Sequence, residues 1–134
     1  MASPYQMVGT DSSSVAYSGP FAMGKPHPRH YGTYPRILGR YVQEEGVLTL
    51  EQAVRKMTGF PAQRFGILDR GLLRPGMHAD ITLFDPATVI DRATFENPHQ
   101  RPEGIPYVLV NGKVAIDGGK YRSVLTGRTL RKRR

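Results

Sequence analysis

Residues 49–66 read TLEQAVRKMTGFPAQRFG, and this stretch marks the change from helical to strand-like patterning along the chain. Thr49 and Gln52 have the spacing of a capping box, in which two side chains and two backbone N–H groups bond reciprocally at a helix start. The apolar residues that follow have helical spacing: Leu50, Ala53, Val54 and Met57. Gly59 ends this helix, and residues 61–65 are expected to add one further turn.

Strand-like segments follow from residue 67 onward. Residues 81–84 (ITLF) predict a strand, because turn residues lie on both sides of it. Residues 107–110 and 113–116 predict two more strands, joined by Asn111-Gly112. This dipeptide fits the two positive φ values of a type I′ turn, so the pair should form a hairpin.

An earlier helix is predicted on the N-terminal side. Thr33 is expected to cap a helix that starts near Pro35, and Gly46 lies just past its end. The residues on one face of this helix are apolar: Ile37, Leu38, Tyr41 and Val42. The sequence therefore predicts two helices followed by a small sheet.

The first 32 residues predict a short strand and a long loop. Residues 5–10 (YQMVGT) favour a strand that places Asp11 at its carboxyl end. Residues 12–32 contain three prolines and no regular periodicity, which predicts a loop of about 20 residues, longer than the ~12 to 15 usual without a function. We interpret it as a candidate lid or pocket wall. The strand has no evident partner, which is an unusual plan for a self-contained domain.

The composition of the 134-residue chain excludes several classes of protein. There are no cysteines, which excludes a disulfide scaffold, a thiolate metal site and a cysteine nucleophile. Neither a G-x-S-x-G elbow nor a glycine-rich nucleotide motif occurs. No apolar run approaches the ~18 residues of a membrane span, and the N-terminus does not resemble a signal peptide. We expect a cytoplasmic protein with no membrane contact.

The net charge of +8 is concentrated in the C-terminal residues. Residues 1–119 contain 12 basic and 11 acidic residues, whereas residues 120–134 contain seven basic residues and no acidic one. Such a tail can bind phosphate backbones, but a nucleic-acid domain usually spreads its charge over a folded face with aromatic residues. We favour a solvated basic tail at residues 128–134 over a nucleic-acid arm.

Asp11 is the most informative single residue. A carboxylate at the end of an apolar strand, before a long loop, is where a barrel enzyme places a metal ligand or a general base. The alternative is a local role as an N-cap or Asx turn, which its spacing to the following serines also allows.

The four histidines do not predict a metal site by themselves. His27 and His30 have a spacing that can share a metal on a helix, but the flanking prolines argue against a helix there, so we favour hydrogen-bonding roles. His78 and His99 lie in polar, turn-rich segments and are expected to be exposed.

Several stretches together resemble a known family. They are GTDSS at 9–13, GKPHPRHYGTYPRILGRYV at 24–42, KMTGFPAQRFG at 56–66, RGLLRPGMHADITLFDPATVIDRATFENP at 70–98 and VLVNGKVAIDGGKY at 108–121. In this order they closely resemble the C-terminal part of N-acyl-D-amino-acid deacylases (D-aminoacylases), of the metal-dependent amidohydrolase superfamily. The R-G-x-L-x-P-G-x-x-A-D pattern at 70–80 by itself indicates only the superfamily. The stretch HPRHYGTYPR at 27–36 restricts the resemblance to the D-aminoacylases.

The resemblance implies a composite α/β architecture. Residues 1–66 would be the C-terminal end of a (β/α)₈ barrel, with its last strand, a long loop and two helices. Residues 67–127 would be part of a small β-sandwich, and residues 128–134 a basic disordered tail. A whole barrel needs about 250 residues, so only its end is expected here.

The resemblance also implies the chemistry. In the family, the aspartate matching Asp11 lies beside one or two zinc ions and handles protons while metal-bound hydroxide attacks an amide carbon. The family's ligand set needs an H-x-H pair and a cysteine or other bridging ligand, and this chain has neither an H-x-H nor a cysteine. We therefore expect a C-terminal fragment, from a truncated or split reading frame, that is inactive alone and does not retain zinc. Its parent would hydrolyse N-acyl-D-amino acids to a carboxylate and a D-amino acid.

Other residues receive weaker assignments. Arg29 is a candidate for binding a substrate carboxylate, although it could instead tie its loop to the barrel rim. Asp80 resembles a structural aspartate of the sandwich, and residues 91–95 resemble a sandwich connection.

Three alternatives remain open. The parent could be a cyclic amidase that resembles a hydantoinase or dihydroorotase and shares Asp11. The chain could be a non-enzymatic module that binds anions through its basic tail. A separate N-terminal half could also complete the barrel as a partner.

Overall fold

The computed structural model describes residues 1–131, which form two compact units built from interleaved parts of the chain. The first unit contains residues 1–2, 9–53 and 85–104, and the second contains residues 3–8, 54–84 and those from 105 onward. The predicted boundary between residues 66 and 67 concerns the larger fold of the family and stays a prediction. Of the predicted basic tail, residues 132–134 lie outside the described residues.

The first helix of the chain begins earlier than predicted. Helix α1 runs over Arg29–Arg36 and continues into a π-helical segment, Ile37–Glu44. A start near Pro35 with Thr33 as cap is therefore wrong, because Pro28 already has helical φ and lacks the N–H group that a helix start leaves unpaired. The Thr33 hydroxyl instead donates to the carbonyl of Arg29, at 2.8 Å.

The second predicted helix is confirmed. Helix α2 spans Leu50–Met57, and its capping box is complete: the Gln52 amide N–H donates to Thr49 Oγ1 at 3.2 Å, and the Thr49 N–H donates to Gln52 Oε1 at 3.0 Å. Helix α3 spans Gly59–Phe65 and ends at Gly66, whose φ is +69°. None of the helices in the described part of the chain combines the length and apolar content needed to cross a bilayer.

The first unit has an apolar core formed by the helices and the segment 85–104. Its buried apolar residues are Ile37, Leu38, Leu48, Ala53, Val89 and Ala93. Two glycines allow this segment to approach the helices closely. A Cβ at Gly39 would lie 2.3 Å from the carbonyl oxygen of Val89, and a Cβ at Gly32 would lie 2.9 Å from the Asp91 side chain. Residues 91–95, expected to be a sandwich connection, therefore pack on the helices of this unit.

The second unit contains one antiparallel sheet of four strands in sequential order. They are β1 (Ile81–Leu83), β2 (Tyr107–Val110), β3 (Lys113–Asp117) and β4 (Lys120–Tyr121). Asn111 and Gly112 have φ values of +50° and +78°, which confirms the predicted hairpin turn. Strand β4 was not predicted, because a segment of two residues is too short to show the alternation of side chains that indicates a strand.

The predicted strand over residues 5–10 is wrong. The segment pairs with no strand among residues 1–131, and its contacts are made instead to Lys56 of α2. The Val8 N–H donates to the carbonyl of Lys56 at 3.2 Å, and the Lys56 ammonium donates to the carbonyls of Ser3 and Gln6. A parallel barrel strand forms only between neighbouring strands, so its sequence pattern cannot produce a strand without them.

The second unit differs from the first in what it buries. Among residues 1–131, the side chains buried in this unit are those of Lys56 and Arg70, and both are cations. Several of its large apolar side chains are exposed, including those of Phe65, Leu68 and Leu73. A unit that exposes this much apolar surface is typical of a protein that has a further binding partner or further covering structure.

We predict that Gly39→Ala lowers the free energy of unfolding by about 1 to 3 kcal/mol, because the added methyl group must displace the Val89 carbonyl. Chemical denaturation of the full chain measures this. Gly127→Ala is the control, since a Cβ at Gly127 meets no atom within 4 Å. Equal stability of both variants would contradict the close approach.

Candidate functional site

Asp11 and Arg29, the residues predicted to act in catalysis and in substrate binding, lie in contact in the structure. Arg29 Nη2 donates to Asp11 Oδ2 at 2.8 Å, and Arg29 Nε donates to the backbone carbonyl of Asp11 at 3.0 Å. One guanidinium therefore holds both the side chain and the main chain of Asp11. The two residues enclose the long loop, so this pair joins its ends.

Asp11 combines a left-handed backbone with an exposed side chain. Its φ is +48°, in the left-handed region that side chains other than Asn, Asp and Gly rarely occupy. Its side chain is 88% exposed, whereas that of Arg29 is 42% exposed. The hydrogen bonds of Asp11 within the described residues go to Arg29, not to the amides of the following serines. The carboxylate is thus held in place while it remains accessible.

Helix α1 positions Arg29 at its first residue. His27 Nδ1 accepts the N–H of Arg29 at 3.0 Å, which fixes the start of the helix, and the His27 ring meets Phe95 edge-on at 4.9 Å. The hydrogen-bonding role expected for His27 is therefore confirmed. His30 lies inside the helix, and its Nδ1 is buried without a hydrogen-bond partner among the described residues, so the hydrogen-bonding role expected for His30 stays a prediction.

The orientation of α1 is set by a buried ion pair. Arg36 Nε and Nη2 both donate to Asp91 Oδ2, at 3.0 and 2.7 Å. The Asp91 side chain is only 5% exposed. A carboxylate in this position must be paired, because leaving it unpaired away from water costs several kcal/mol.

A cluster that the sequence did not reveal lies between the loop, α1 and the segment 85–104. The Tyr31 hydroxyl lies 2.8 Å from the carbonyl of Ala16 and 2.7 Å from His99 Nδ1, and His99 Nε2 lies 3.0 Å from the carbonyl of Gly24. The Tyr17 ring packs on Tyr31, with ring centroids 4.7 Å apart. Burial raises the pKa of both tyrosines. These residues hold the loop that connects Asp11 to Arg29.

The expected exposure of His78 and His99 is wrong. Both are half-buried, and each has polar partners. His78 Nε2 lies 3.6 Å from Asp69 and also contacts Arg128, in the second unit. Contacts with residues distant in sequence leave no local signal. The polar residues beside His78 and His99 therefore suggested exposure and gave no indication of these partners.

Asp80 has the structural role expected from its sequence context. It pairs with buried Arg70, and its Oδ1 accepts the backbone N–H of Asn111 at 2.7 Å. Arg70 Nη2 also donates to Asn111 Oδ1 at 2.6 Å. Asp80 therefore fixes the hairpin turn of the sheet.

The described residues do not form a metal site by themselves. No group of three or more His, Cys, Asp or Glu side chains that could hold an ion is present in residues 1–131. Asp11 offers one carboxylate, whose bound partner is a guanidinium, whereas a catalytic zinc site has three protein ligands. The donor set of this chain alone does not fit zinc.

Comparison with protein families identifies one match. Residues 19–116 match the Amidohydrolase family. The matched region contains Arg29, Tyr31 and His99, and it begins after Asp11.

Individual relatives and solved structures agree with this match. D-aminoacylase of Alcaligenes xylosoxydans xylosoxydans is 42% identical over 94% of this chain and 28% of its own length. A crystal structure of D-aminoacylase is 48% identical and covers 80% of this chain, with a TM-score of 0.78 and 23% of that protein covered. The N-acyl-D-glutamate deacylase of Bordetella bronchiseptica, complexed with zinc and a phosphonate inhibitor, gives a TM-score of 0.67 at 48% identity, covering 77% of this chain and 23% of that protein.

Cyclic amidases match over shorter stretches. A dihydroorotase of Lactobacillus acidophilus is 33% identical over 64% of this chain and 23% of its own length. The chain therefore spans about a quarter of the length of the relatives that it matches.

We predict that Asp11→Asn changes the free energy of unfolding by less than about 1 kcal/mol, because an exposed ion pair contributes little and Asn tolerates a positive φ. The matched control is Asp91→Asn, which removes the charge of a buried pair and should cost about 3 kcal/mol. Thermal unfolding of the two variants measures the difference. A loss at Asp11 as large as that at Asp91 would show that Asp11 is a structural residue.

Proposed function

Because the chain belongs to the Amidohydrolase family, we propose that it is the C-terminal region of an N-acyl-D-amino-acid deacylase. The whole protein would hydrolyse an acyclic amide: water adds to the amide carbon, the C–N bond breaks, and the products are a carboxylate and a free D-amino acid. The observation that carries this proposal is the exposed carboxylate of Asp11, held by Arg29 in a chain 42% identical to a D-aminoacylase.

We assign the proton transfer to Asp11. A carboxylate at the reacting centre can take a proton from the attacking water and return it to the leaving nitrogen. This requires a side chain that is accessible and has a fixed direction. Asp11 satisfies both requirements, because Arg29 holds its carbonyl and one carboxylate oxygen while most of the side chain remains exposed.

Arg29 has two possible partners in this proposal. In the structure its guanidinium binds Asp11, which ties the two ends of the loop together. A guanidinium also binds the carboxylate of an amino-acid substrate with paired hydrogen bonds. We propose that the substrate carboxylate also binds the Arg29 guanidinium, while Arg29 keeps its hydrogen bonds to the carbonyl and the carboxylate of Asp11 and so holds Asp11 in its direction.

The metal ligands must come from elsewhere, because the described residues do not provide them. We propose that an N-terminal part of the fold, on the same or a separate chain, supplies the zinc ligands and acts as the partner of this region. The exposed apolar side chains of the second unit support this, because Phe65, Leu68 and Leu73 need covering structure that residues 1–131 do not offer.

The cyclic amidase alternative is less well supported. The matches to that class cover less of the chain and are less identical over comparable lengths than the match to D-aminoacylase. The separate proposal that the basic tail binds anions is tested by the salt dependence of binding, because the charge attraction is weakened by salt. Arg128 contacts His78 in the second unit.

We predict that the isolated chain does not hydrolyse N-acetyl-D-amino acids, and that mixing it with the N-terminal portion of the Alcaligenes D-aminoacylase restores hydrolysis. The two portions together would rebuild the ligand set and cover the apolar surface. Release of the free D-amino acid measures the activity, and cyclic dihydroorotate or hydantoin serves as the competing substrate class.

In this mixture, Asp11→Asn should lower kcat by about 10² to 10⁴, the usual contribution of a general base. Glu44→Gln is the matched control, because Glu44 is an exposed carboxylate at the end of the π-helical segment. If Asp11→Asn left the restored activity intact, the assignment to Asp11 would be wrong. Restored activity on cyclic amides alone would instead identify the other class.

A second prediction concerns metal binding. The isolated chain should bind no stoichiometric zinc at about 10 μM, because a catalytic zinc site needs three protein ligands. Calorimetric titration of the chain, before and after mixing with the N-terminal portion, measures this. A tight 1:1 complex of the isolated chain would contradict the proposed division of ligands.

A further inference from the structure

The hairpin turn of the sheet contains a pair of residues that can react with each other, Asn111 and Gly112. In an Asn-Gly sequence the backbone nitrogen of the glycine can attack the side-chain carbon of the asparagine, because glycine has no side chain to hinder the approach. The asparagine amide is then converted to an acid. Whether this happens in the folded chain depends on the hydrogen bonds of the two reacting groups.

The side-chain amide of Asn111 is held at both of its polar atoms. Its Oδ1 accepts a hydrogen bond from Arg70 Nη2 at 2.6 Å, and its Nδ2 donates to the carbonyl of Thr126 at 2.5 Å. Arg70 is itself fixed, since its side chain is only 9% exposed and its Nη1 pairs with Asp80. Attack on this amide turns its planar carbon into a tetrahedral one and removes Nδ2, so the hydrogen bond to Thr126 must break.

The attacking nitrogen is also engaged. The Gly112 N–H donates to the carbonyl of Ala79 at 2.9 Å, and the preceding Asn111 N–H donates to Asp80 Oδ1 at 2.7 Å. The Gly112 nitrogen must lose its proton to act as a nucleophile, so its N–H must first leave the Ala79 carbonyl. The Arg70 guanidinium would favour the negative charge that develops on Asn111 Oδ1, but only after that step. Opening of the turn therefore precedes the reaction.

We propose that Asn111 is a site of spontaneous deamidation that reacts only when the hairpin turn opens, and that the reaction releases the C-terminal segment, residues 124–131. In the closed turn both reacting groups are held by hydrogen bonds within the second unit. The modification would therefore mark chains in which this unit has opened. The proposal concerns the sheet of this chain and does not depend on the proposed hydrolysis.

The reaction needs no reagent other than water. The Gly112 nitrogen forms a bond to Asn111 Cγ and gives up its proton, the Cγ–Nδ2 bond breaks, and Nδ2 leaves with that proton as ammonia. The product is a cyclic imide. Water then adds to one of the two carbonyl carbons of the imide and opens the ring, which gives aspartate or isoaspartate at position 111.

Neither product can make the contact that Asn111 makes with Thr126. A carboxylate has no proton to donate, so the Thr126 carbonyl would face an oxygen atom in place of Nδ2. Two opposed oxygen atoms repel each other, and the carbonyl loses its donor. Isoaspartate also lengthens the main chain within a two-residue turn, whose conformation sets the register of the hairpin. Deamidation therefore removes a contact that holds the C-terminal segment on the hairpin.

Deamidation of the full chain is measured by mass spectrometry after complete digestion with trypsin. Cleavage after Arg92 and Lys113 leaves residues 93–113 as one peptide, because a proline follows Arg101 and prevents cleavage there. This peptide contains both asparagines of the chain, and fragmentation distinguishes them. Asn97 is the internal control, since the proline that follows it has no N–H group to form the imide.

We expect Asn111 to react about 10- to 100-fold more slowly in the folded chain than in the chain unfolded by urea, because several hydrogen bonds must open first. Below the unfolding transition, the deamidation rate should rise with urea in parallel with the amide exchange of Gly112, since both require the same opening. Asn97 should keep its amide throughout. Equal rates of reaction of Asn111 in the folded and unfolded chains would overturn the proposal.

Cleavage of the folded chain by trypsin after Arg128 tests the release of the C-terminal segment. Asn111→Asp carries the charge of the product, and Asn111→Gly lacks the side chain but permits a positive φ. Both variants should be cleaved after Arg128 about threefold to tenfold faster than the wild type, the effect of one lost hydrogen bond. Asn97→Asp is the matched control, because it adds the same charge at an exposed asparagine of the first unit.

The deamidated wild-type chain, separated from the intact chain by ion exchange, gives the same comparison without a substitution. It should also be cleaved after Arg128 faster than the intact chain. The proposed release is overturned if the deamidated chain and both Asn111 variants are cleaved at the wild-type rate. It is also overturned if Asn97→Asp accelerates the cleavage as much as Asn111→Asp does.

Discussion

The ion pair between Arg36 and the buried Asp91 fixes the first unit. Asp91 lies against Gly32, where a side chain would not fit, and its carboxylate accepts two hydrogen bonds from Arg36. This contact joins helix α1 to the segment 85–104. Arg29 at the start of that helix and His99 on that segment both depend on it, and through them so does the long loop.

The ion pairs of Asp11 and Asp91 have different roles because their burial differs. Asp91 is inaccessible, so its charge serves the packing of the helix. Asp11 is exposed, has a left-handed backbone, and is held by a side chain 18 residues further along the chain. A carboxylate that is both exposed and held in place can reach a substrate, whereas a buried carboxylate cannot. The contrast supports chemistry at Asp11 and structure at Asp91.

Several local features of the fold could be predicted from the sequence, although the start of α1 was not, and long-range features could not be predicted. The capping box of Thr49 and Gln52 and the turn at Asn111-Gly112 depend on residues close in sequence, and both predictions were correct. The strand at residues 5–10 depends on neighbouring strands, and its prediction failed. The contact of Tyr31 with His99 joins residues 68 positions apart, which no spacing rule indicates. The resemblance, by contrast, identified the family correctly because its motifs are distributed over most of the chain.

The central claim is that Asp11 belongs to a metal centre that the rest of the family fold completes. Anomalous diffraction at the zinc absorption edge, from crystals of this chain assembled with the N-terminal portion of D-aminoacylase, locates the metal directly. The account predicts a zinc ion within about 2.0 to 2.2 Å of an Asp11 carboxylate oxygen, or one water molecule away from it. A zinc ion bound entirely by other residues, with Asp11 still held by Arg29 and more than about 10 Å from the metal, would contradict it.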